Sequence, residues 1–137
     1  MYKMKAKEIV IDGTNAIMGR LASYAAKQSL KGERIAIVNA EKVIITGNKK
    51  NILENFYAKR RMSGSTIKGP KTSILAEKIL KRTIRGMLPD HREGRGKEAL
   101  GRIRCYKGIP KEYQDSKKIL AGKEKGNKYI YLGDFAK

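Results

Sequence analysis

The stretch Glu8-Ile9-Val10-Ile11-Asp12-Gly13 is apolar, β-branched and closed by a glycine. A run of this length and composition predicts a buried strand. Apolar residues then recur every three or four positions over residues 18–30, which predicts an amphipathic helix, and a second apolar run follows at residues 34–39. A strand–helix–strand order favours parallel neighbouring strands joined by a right-handed crossover. Strands that are almost wholly apolar suit a sheet covered on both faces.

The rest of the chain continues the alternation of strands and helices. Residues 43–46 predict a third strand, residues 51–57 a helical piece, residues 96–102 a short helix and residues 103–106 a fourth strand. Residues 62–73 are loop-like, and the polar tail after residue 111 has one ordered-looking run at residues 129–132. No repeat and no interdomain linker is visible, so a chain of 137 residues predicts a single domain.

The clearest helix in the sequence is predicted to run from Ile74 to Met87, with Ser73 as its N-cap. At 100° per residue, one side carries apolar residues and Thr83, and the opposite side carries only basic long side chains. The apolar side holds Leu75, Ile79, Leu80, Thr83, Ile84 and Met87, and the basic arc holds Lys78, Lys81, Arg82 and Arg85. The segment before this helix adds Lys59, Arg60, Arg61, Lys68 and Lys71.

Positive charge is the strongest functional signal. Residues 57–85 hold nine Lys or Arg side chains and one acidic side chain, Glu77, within a chain whose net charge is +19 and whose pI is about 10.1. Such a segment cannot neutralise itself, so we expect a polyanionic partner whose condensed counterions are released on binding. The alternative is a basic surface that serves only solubility. We expect no membrane association, because no apolar run approaches the ~20 residues of a spanning helix.

Other chemistries fit the sequence poorly. The loop from Gly13 to Gly19 lies between a strand and a helix, but it lacks the spacing of a dinucleotide or phosphate-binding loop. It can still bring Arg20 near an RNA phosphate. One histidine, His91, cannot build a zinc site, and Cys105 in an apolar strand favours a core role. We therefore predict no enzyme, no cofactor, no metal and no small-molecule substrate.

The residues resemble those of a known family, the universal large-subunit ribosomal protein thirteen family, in its archaeal and eukaryotic branch. Its C-terminal signature is similar to residues 83–89, Gly94-Arg95-Gly96-Lys97, Ala99-Leu100 and residues 102–110. Its N-terminal motifs are similar to Ile11-Asp12-Gly13, residues 18–23, residues 38–43 and Thr46-Gly47-Asn48-Lys49. Lys68-Gly69-Pro70 and residues 108–113 point to the branch. The resemblance spans residues 8–113, and residues 62–67 fit it poorly.

The resemblance implies a three-layer helix/sheet/helix α/β domain with a mostly parallel four-stranded sheet. We predict an RNA-binding domain over residues 1–113 and, beyond the reach of the resemblance, a C-terminal extension over residues 114–137, packed on that domain or extending from it. The resemblance also implies no catalysis, a cytoplasmic location in the ribosome, and neighbouring large-subunit proteins as partners. Matched positions that would face ribosomal RNA are Arg20, Thr46, Asn48, Lys49, Arg60, Arg82, Arg85, His91, Arg95, Lys97 and Arg102; the basic pattern adds Lys59, Arg61, Lys68 and Lys78.

The sequence thus predicts a structural protein that binds and cross-links large-subunit ribosomal RNA during assembly. Two other functions stay open at this point. One is an RNA-modifying enzyme on a Rossmann-like fold, which would need a cofactor pocket. The other is a basic DNA-binding protein, which shares the charge but would prefer duplex DNA to folded RNA.

Overall fold

A computed structural model describes residues 7–62, 72–120 and 128–136. In the first half the elements are β1 (Glu8–Asp12), α1 (Met18–Leu30), β2 (Arg34–Val38), β3 (Ile44–Thr46) and α2 (Lys49–Arg61). In the second half they are α3 (Ala76–Met87), α4 (Gly94–Gly101), β4 (Ile103–Cys105), β5 (Lys118–Leu120) and β6 (Tyr129–Tyr131). Short 3-10 helices occupy Ala40–Lys42, Lys111–Tyr113 and Leu132–Ala136.

The main sheet has four parallel strands in the order β4-β2-β1-β5. Ile11 pairs with Ile37 of β2 on one side and with Ile119 of β5 on the other. This sheet confirms the predicted α/β class and the parallel strand–helix–strand start. The strand predicted at residues 43–46 is present as β3, but it lies outside this sheet: β3 pairs antiparallel with β6, and β5 takes the fourth place in the main sheet. Strands of three residues carry too little pattern to specify their partners.

The core lies mainly between the sheet and the helices on one face. Alternate strand residues such as Ile11 and Ile37 are fully buried there, against Leu21 of α1 and against Leu80 and Ile84 of α3. Residues i and i+4 of α3 lie on one face of the helix, and residues i and i+2 of β1 and β2 lie on one face of the sheet. These two faces pack against each other in the core. This layer holds α3 in place and turns its other side toward solvent.

The opposite face of the sheet has a thinner cover. Val10, Ala36 and Val38 form a small second cluster with Tyr113, which comes from the 3-10 helix Lys111–Tyr113, and Tyr106 packs against it. The predicted order of helix, sheet and helix is confirmed, with this one-turn helix as the second helical layer.

The helix bounds match the sequence closely in α1 and less so elsewhere. Residue for residue, α1 runs over the predicted positions, whereas α2 is longer than predicted at both ends. The N-terminus of α3 comes later than predicted: Leu75 is its N-cap, and Ser73 Oγ accepts a hydrogen bond of 3.2 Å from the Leu75 backbone N–H. Ser73 therefore stabilises the turn before the helix rather than capping it. Leu75 and Met87 were predicted inward but are 41% and 43% exposed.

The C-terminal residues that the structure describes pair with both sheets. β5 lies beside β1, and β6 lies beside β3, where the predicted ordered run at residues 129–132 is found. The strand at Lys118–Leu120 was not expected from its polar surroundings. The boundary between residues 113 and 114 stays a prediction. Of the helices in the described part of the chain, none has the length and apolarity to cross a membrane.

Candidate nucleic-acid interface

A groove of about 580 Å³ lies along α3 and the C-terminal half of α2. Five basic side chains line it: Lys59 from α2, and Lys78, Lys81, Arg82 and Arg85 from α3. The remaining lining residues that the structure describes are apolar or hydroxylic: Phe56, Thr72, Ser73, Ile79, Thr83 and Leu100. We call this feature the α2–α3 groove. It unites Lys59, Lys78, Arg82 and Arg85 of the predicted set and adds Lys81, which lies on the same predicted arc.

The packing of α3 explains why these charges gather. Leu80 and Ile84 are fully buried, so residues one to two positions away point outward along the helix. Two arginines, Arg60 and Arg82, also form hydrogen bonds to the same residue, Thr72. Arg60 Nε donates to the Thr72 carbonyl oxygen at 3.1 Å, and Arg82 Nη1 donates to Thr72 Oγ1 at 3.2 Å. These bonds link α2 to the segment entering α3, and each guanidinium keeps further N–H donors for a ligand.

The groove charges are not neutralised from within. Within residues 7–62, 72–120 and 128–136, no ion pair reaches any of its five cations, and the ion pair of Arg102 with Glu98 lies outside the groove. Glu77 lies on α3, but one of its carboxylate oxygens is buried without a hydrogen-bond partner. Like charges crowded on one surface repel one another. The groove therefore favours an anionic ligand.

A second group of predicted residues lies at the turn between β3 and α2. A cleft of about 520 Å³ brings Asn48 and Lys49 together with Lys128, Tyr129 and three further residues, Gly47, Tyr131 and Asp134. Asn48 also has a structural role, because its Oδ1 accepts a hydrogen bond of 3.1 Å from the Lys50 N–H and so caps α2. Sequence reasoning missed Lys128, whose place depends on the pairing of β6 with β3.

A third group surrounds α4. His91 is half-buried in the turn before it, and Arg95 and Lys97 are exposed on its first turns. Arg102 differs from them, since its Nη1 donates to the Ser29 carbonyl oxygen at 3.0 Å and its Nη2 lies 3.7 Å from Glu98. Arg102 thus binds the C-terminal end of α1, a role that the sequence did not reveal.

The remaining predicted residues do not join these groups. Arg20, at the start of α1, is exposed, as are Thr46 at the end of β3 and Arg61 at the end of α2. Lys68 lies outside the described residues. Contact of the predicted set with RNA stays a prediction.

The loop after β1 is packed rather than open. Asp12 Oδ1 accepts hydrogen bonds from the Thr14 N–H, from Thr14 Oγ1 and from Asn39 Nδ2, at 3.0, 2.7 and 3.1 Å. A Cβ on Gly13 would lie 2.7 Å from Val43 Cγ2, so the chain passes here too closely to leave a cradle for a phosphate. This geometry agrees with the failed spacing of a nucleotide-binding loop.

Nucleophilic and metal chemistry also find little support. Burial raises the pKa of the Cys105 thiol to about 12, which keeps it protonated and inert. In the described part of the chain, no group of His, Cys, Asp and Glu side chains is arranged to hold a metal ion.

Together, fold and site define a class: a small α/β domain whose exposed helical face carries uncompensated positive charge. Residues 6–112 match the model of the family Ribosomal protein L13. The chain is 45% identical to large ribosomal subunit protein uL13 of Methanococcoides burtonii, covering 93% of this chain and 94% of that protein. Its identity to uL13 of Thermoplasma acidophilum is also 45%, over 93% and 95% of the two chains. The chain belongs to the ribosomal protein L13 family, and its relatives are of the archaeal type.

Family membership confirms three expectations from the sequence. The resemblance to this family is correct, and so is its archaeal-type branch. The family is a structural component of the ribosome, so the chain is not an enzyme, which removes the RNA-modifying alternative. A ribosomal protein works in the cytoplasm, as expected.

Proposed function

We propose that this protein is a structural constituent of the large ribosomal subunit and binds large-subunit ribosomal RNA through the α2–α3 groove. The observation that carries the proposal is the set of five groove cations that form no ion pair with any residue of the described ranges. Phosphates supply the missing charge, and Arg forks form paired hydrogen bonds to their oxygens. By neutralising backbones that repel each other, the protein cross-links RNA segments during assembly. Neighbouring large-subunit proteins complete its surroundings.

The expected salt dependence of RNA binding follows from counterion release. Each neutralised phosphate changes the slope of log K against log salt by about −0.7 to −0.9, so five groove contacts account for about −4. If the whole surface neutralises about eight phosphates, the slope is about −6 to −7. A slope shallower than about −2 contradicts the proposal, because it leaves room for only two or three contacts.

The test compares two variants of equal charge. One carries Lys59→Ala, Lys78→Ala and Lys81→Ala, which removes three of the five groove cations but spares the arginines that bind Thr72. Its matched control removes three exposed lysines elsewhere: Lys27, Lys31 and Lys42. Binding to deproteinised large-subunit ribosomal RNA is measured over a range of KCl concentrations, together with the melting temperature.

We expect the groove variant to lose about two to three units of salt slope and the control to lose less than one, with both melting temperatures unchanged. Equal slopes for the two variants would show that the groove has no special role.

Duplex DNA provides the test against the DNA-binding alternative. In competition with folded ribosomal RNA at fixed salt, the DNA should displace the protein poorly, because the proposed groove contacts follow the shape of folded RNA. Equal competition, or a protein that fails to sediment with large subunits from a lysate, refutes the ribosomal role.

A further inference from the structure

The thinly covered face of the main sheet contains a second charged pocket. Its volume is about 450 Å³, and it lies at the amino ends of β1, β2 and β4. Three arginines line it, with two tyrosines and two carboxylates beside them: Arg34, Arg102, Arg104, Tyr106, Tyr113, Glu8 and Glu112. We call it the sheet-face pocket. Neither Arg34 nor Arg104 belongs to the predicted set.

Strand register explains why the arginines converge. Ile35 pairs with Ile103 and Ala36 pairs with Arg104, so Arg34 lies two residues before the partner of Arg104 and beside Arg102, the residue that precedes β4. Side chains two residues apart on a strand, and residues paired across strands, share a face, so Arg34 and Arg104 lie on the face of Ala36, opposite α1 and α3. Arg102 is the C-cap of α4 and instead reaches Ser29 of α1. Like charges on adjacent strands destabilise a sheet unless another charge offsets them.

Two carboxylates share the pocket, and Glu8 pairs with Arg34 in the register of β1 and β2, but in the described ranges neither Glu8 nor Glu112 forms an ion pair with Arg34 or Arg104. Tyr113 Oη donates to Glu8 Oε1 at 2.8 Å, and this bond raises the pKa of Tyr113, which therefore remains a donor to Glu8. Glu112 is exposed at the rim of the pocket.

The arginines differ in how free they are. Arg102 is held by Ser29 and Glu98. Arg34 and Arg104 are exposed, and no residue in the described ranges gives either of them an ion pair or a side-chain hydrogen bond. Two guanidinium groups on adjacent strands therefore remain available for a ligand.

We propose that Arg34 and Arg104 bind the phosphate backbone of a second ribosomal RNA segment in the sheet-face pocket. Charge complementarity argues for RNA, since the planar guanidinium groups of these two arginines suit bidentate hydrogen bonds to phosphate oxygens. The pocket and the α2–α3 groove lie on opposite sides of the sheet, so one rigid domain holds two RNA segments apart at a fixed distance. This inference rests on the proposed function and supplies the second contact that cross-linking requires.

The first experiment measures the salt slope of the full chain with Arg34→Ala and Arg104→Ala. We expect a slope shallower by about 1.5 units, from two lost phosphate contacts, and an unchanged melting temperature. The matched control, Lys27→Ala with Lys31→Ala, removes the same charge from the exposed side of α1 and should change the slope by less than half as much. Equal changes in the two variants overturn the inference.

The second experiment locates the RNA segments by cleavage from tethered iron-EDTA. In a Cys105→Ala background, Glu112→Cys carries the tether at the sheet-face pocket and Ser73→Cys carries it at the groove. We expect two separate sets of cuts in large-subunit ribosomal RNA, and Arg34→Ala with Arg104→Ala should abolish only the set from position 112.

Cuts from position 73 alone, or the same cuts from both positions, overturn the second contact and leave the proposed function standing. Cuts from neither position, together with a shallow salt slope, overturn the proposed function itself. The two failures are therefore distinguishable.

Discussion

Replacing Arg102 with alanine should lower the thermal stability of the protein more than it weakens RNA binding. The guanidinium of Arg102 links the C-terminal end of α4 to α1, because it donates to the Ser29 carbonyl oxygen at 3.0 Å. Ser29 forms a second bond between the same two helices, since its buried Oγ donates to the Ala99 carbonyl oxygen at 2.5 Å. The resemblance to the family assigned Arg102 to RNA, so this variant separates a structural role from a binding role.

The magnitude follows from the two contacts of Arg102. A hydrogen bond from a charged donor contributes about 1.5–3 kcal/mol. The ion pair adds about 0–1 kcal/mol, because Glu98 is 71% exposed and its partner lies at 3.7 Å. A loss of about 2 kcal/mol in a chain of this size lowers the melting temperature by about 6–8 °C. The salt slope should change by less than one unit, because this guanidinium already has a partner.

Circular dichroism melts and salt-dependent RNA binding measure both quantities on the same samples. Arg104→Ala is the stability control, since it removes an exposed arginine two residues further along the chain, in β4, and should shift the melting temperature by less than about 2 °C. Arg102→Lys should fall between the wild type and Arg102→Ala in stability. If Arg102→Ala melts like its control while losing a full unit of salt slope, the structural role is refuted.

Three further substitutions or reactions test the packing. Gly13→Ala should destabilise the fold by about 1–3 kcal/mol in urea titrations, because its Cβ would meet Val43 Cγ2 at 2.7 Å; an unchanged midpoint contradicts the close approach. Tyr57→Phe should cost about 0.5–1.5 kcal/mol by losing its 3.0 Å hydrogen bond to the Phe135 carbonyl oxygen, and a neutral effect means that water replaces the bond. Cys105, with its pKa raised from 9.0 to about 12, should react with iodoacetamide at pH 8 about 10³-fold more slowly when folded than in urea, and equal rates refute its burial.

Local patterns were sufficient for the elements that they span. The bounds of α1 agree with its apolar repeat, and the basic arc of α3 faces outward as its period requires, because both depend on spacing within a single helix. The start of α3 was placed too early, because a serine before a helix stabilises a turn as readily as it caps. The groove itself needed α2 beside α3, and no local pattern contains that contact.

Long-range contacts decided the rest. The place of β5 in the main sheet and of β3 outside it depends on pairings between segments that are short and far apart in sequence. Arg102 and Ser29 are 73 positions apart, so nothing near Arg102 in the chain indicates that its guanidinium donates a hydrogen bond to the Ser29 carbonyl oxygen.

The alternation of apolar runs with helical repeats and the excess of positive charge are properties of the amino-acid order, and together they suffice to predict an α/β protein with an anionic partner. Only the tertiary structure decides which cations bind backbone oxygens and which remain open to phosphate. The physical reason is that a side chain's partners are set by the distances between packed elements, and a linear sequence does not contain those distances.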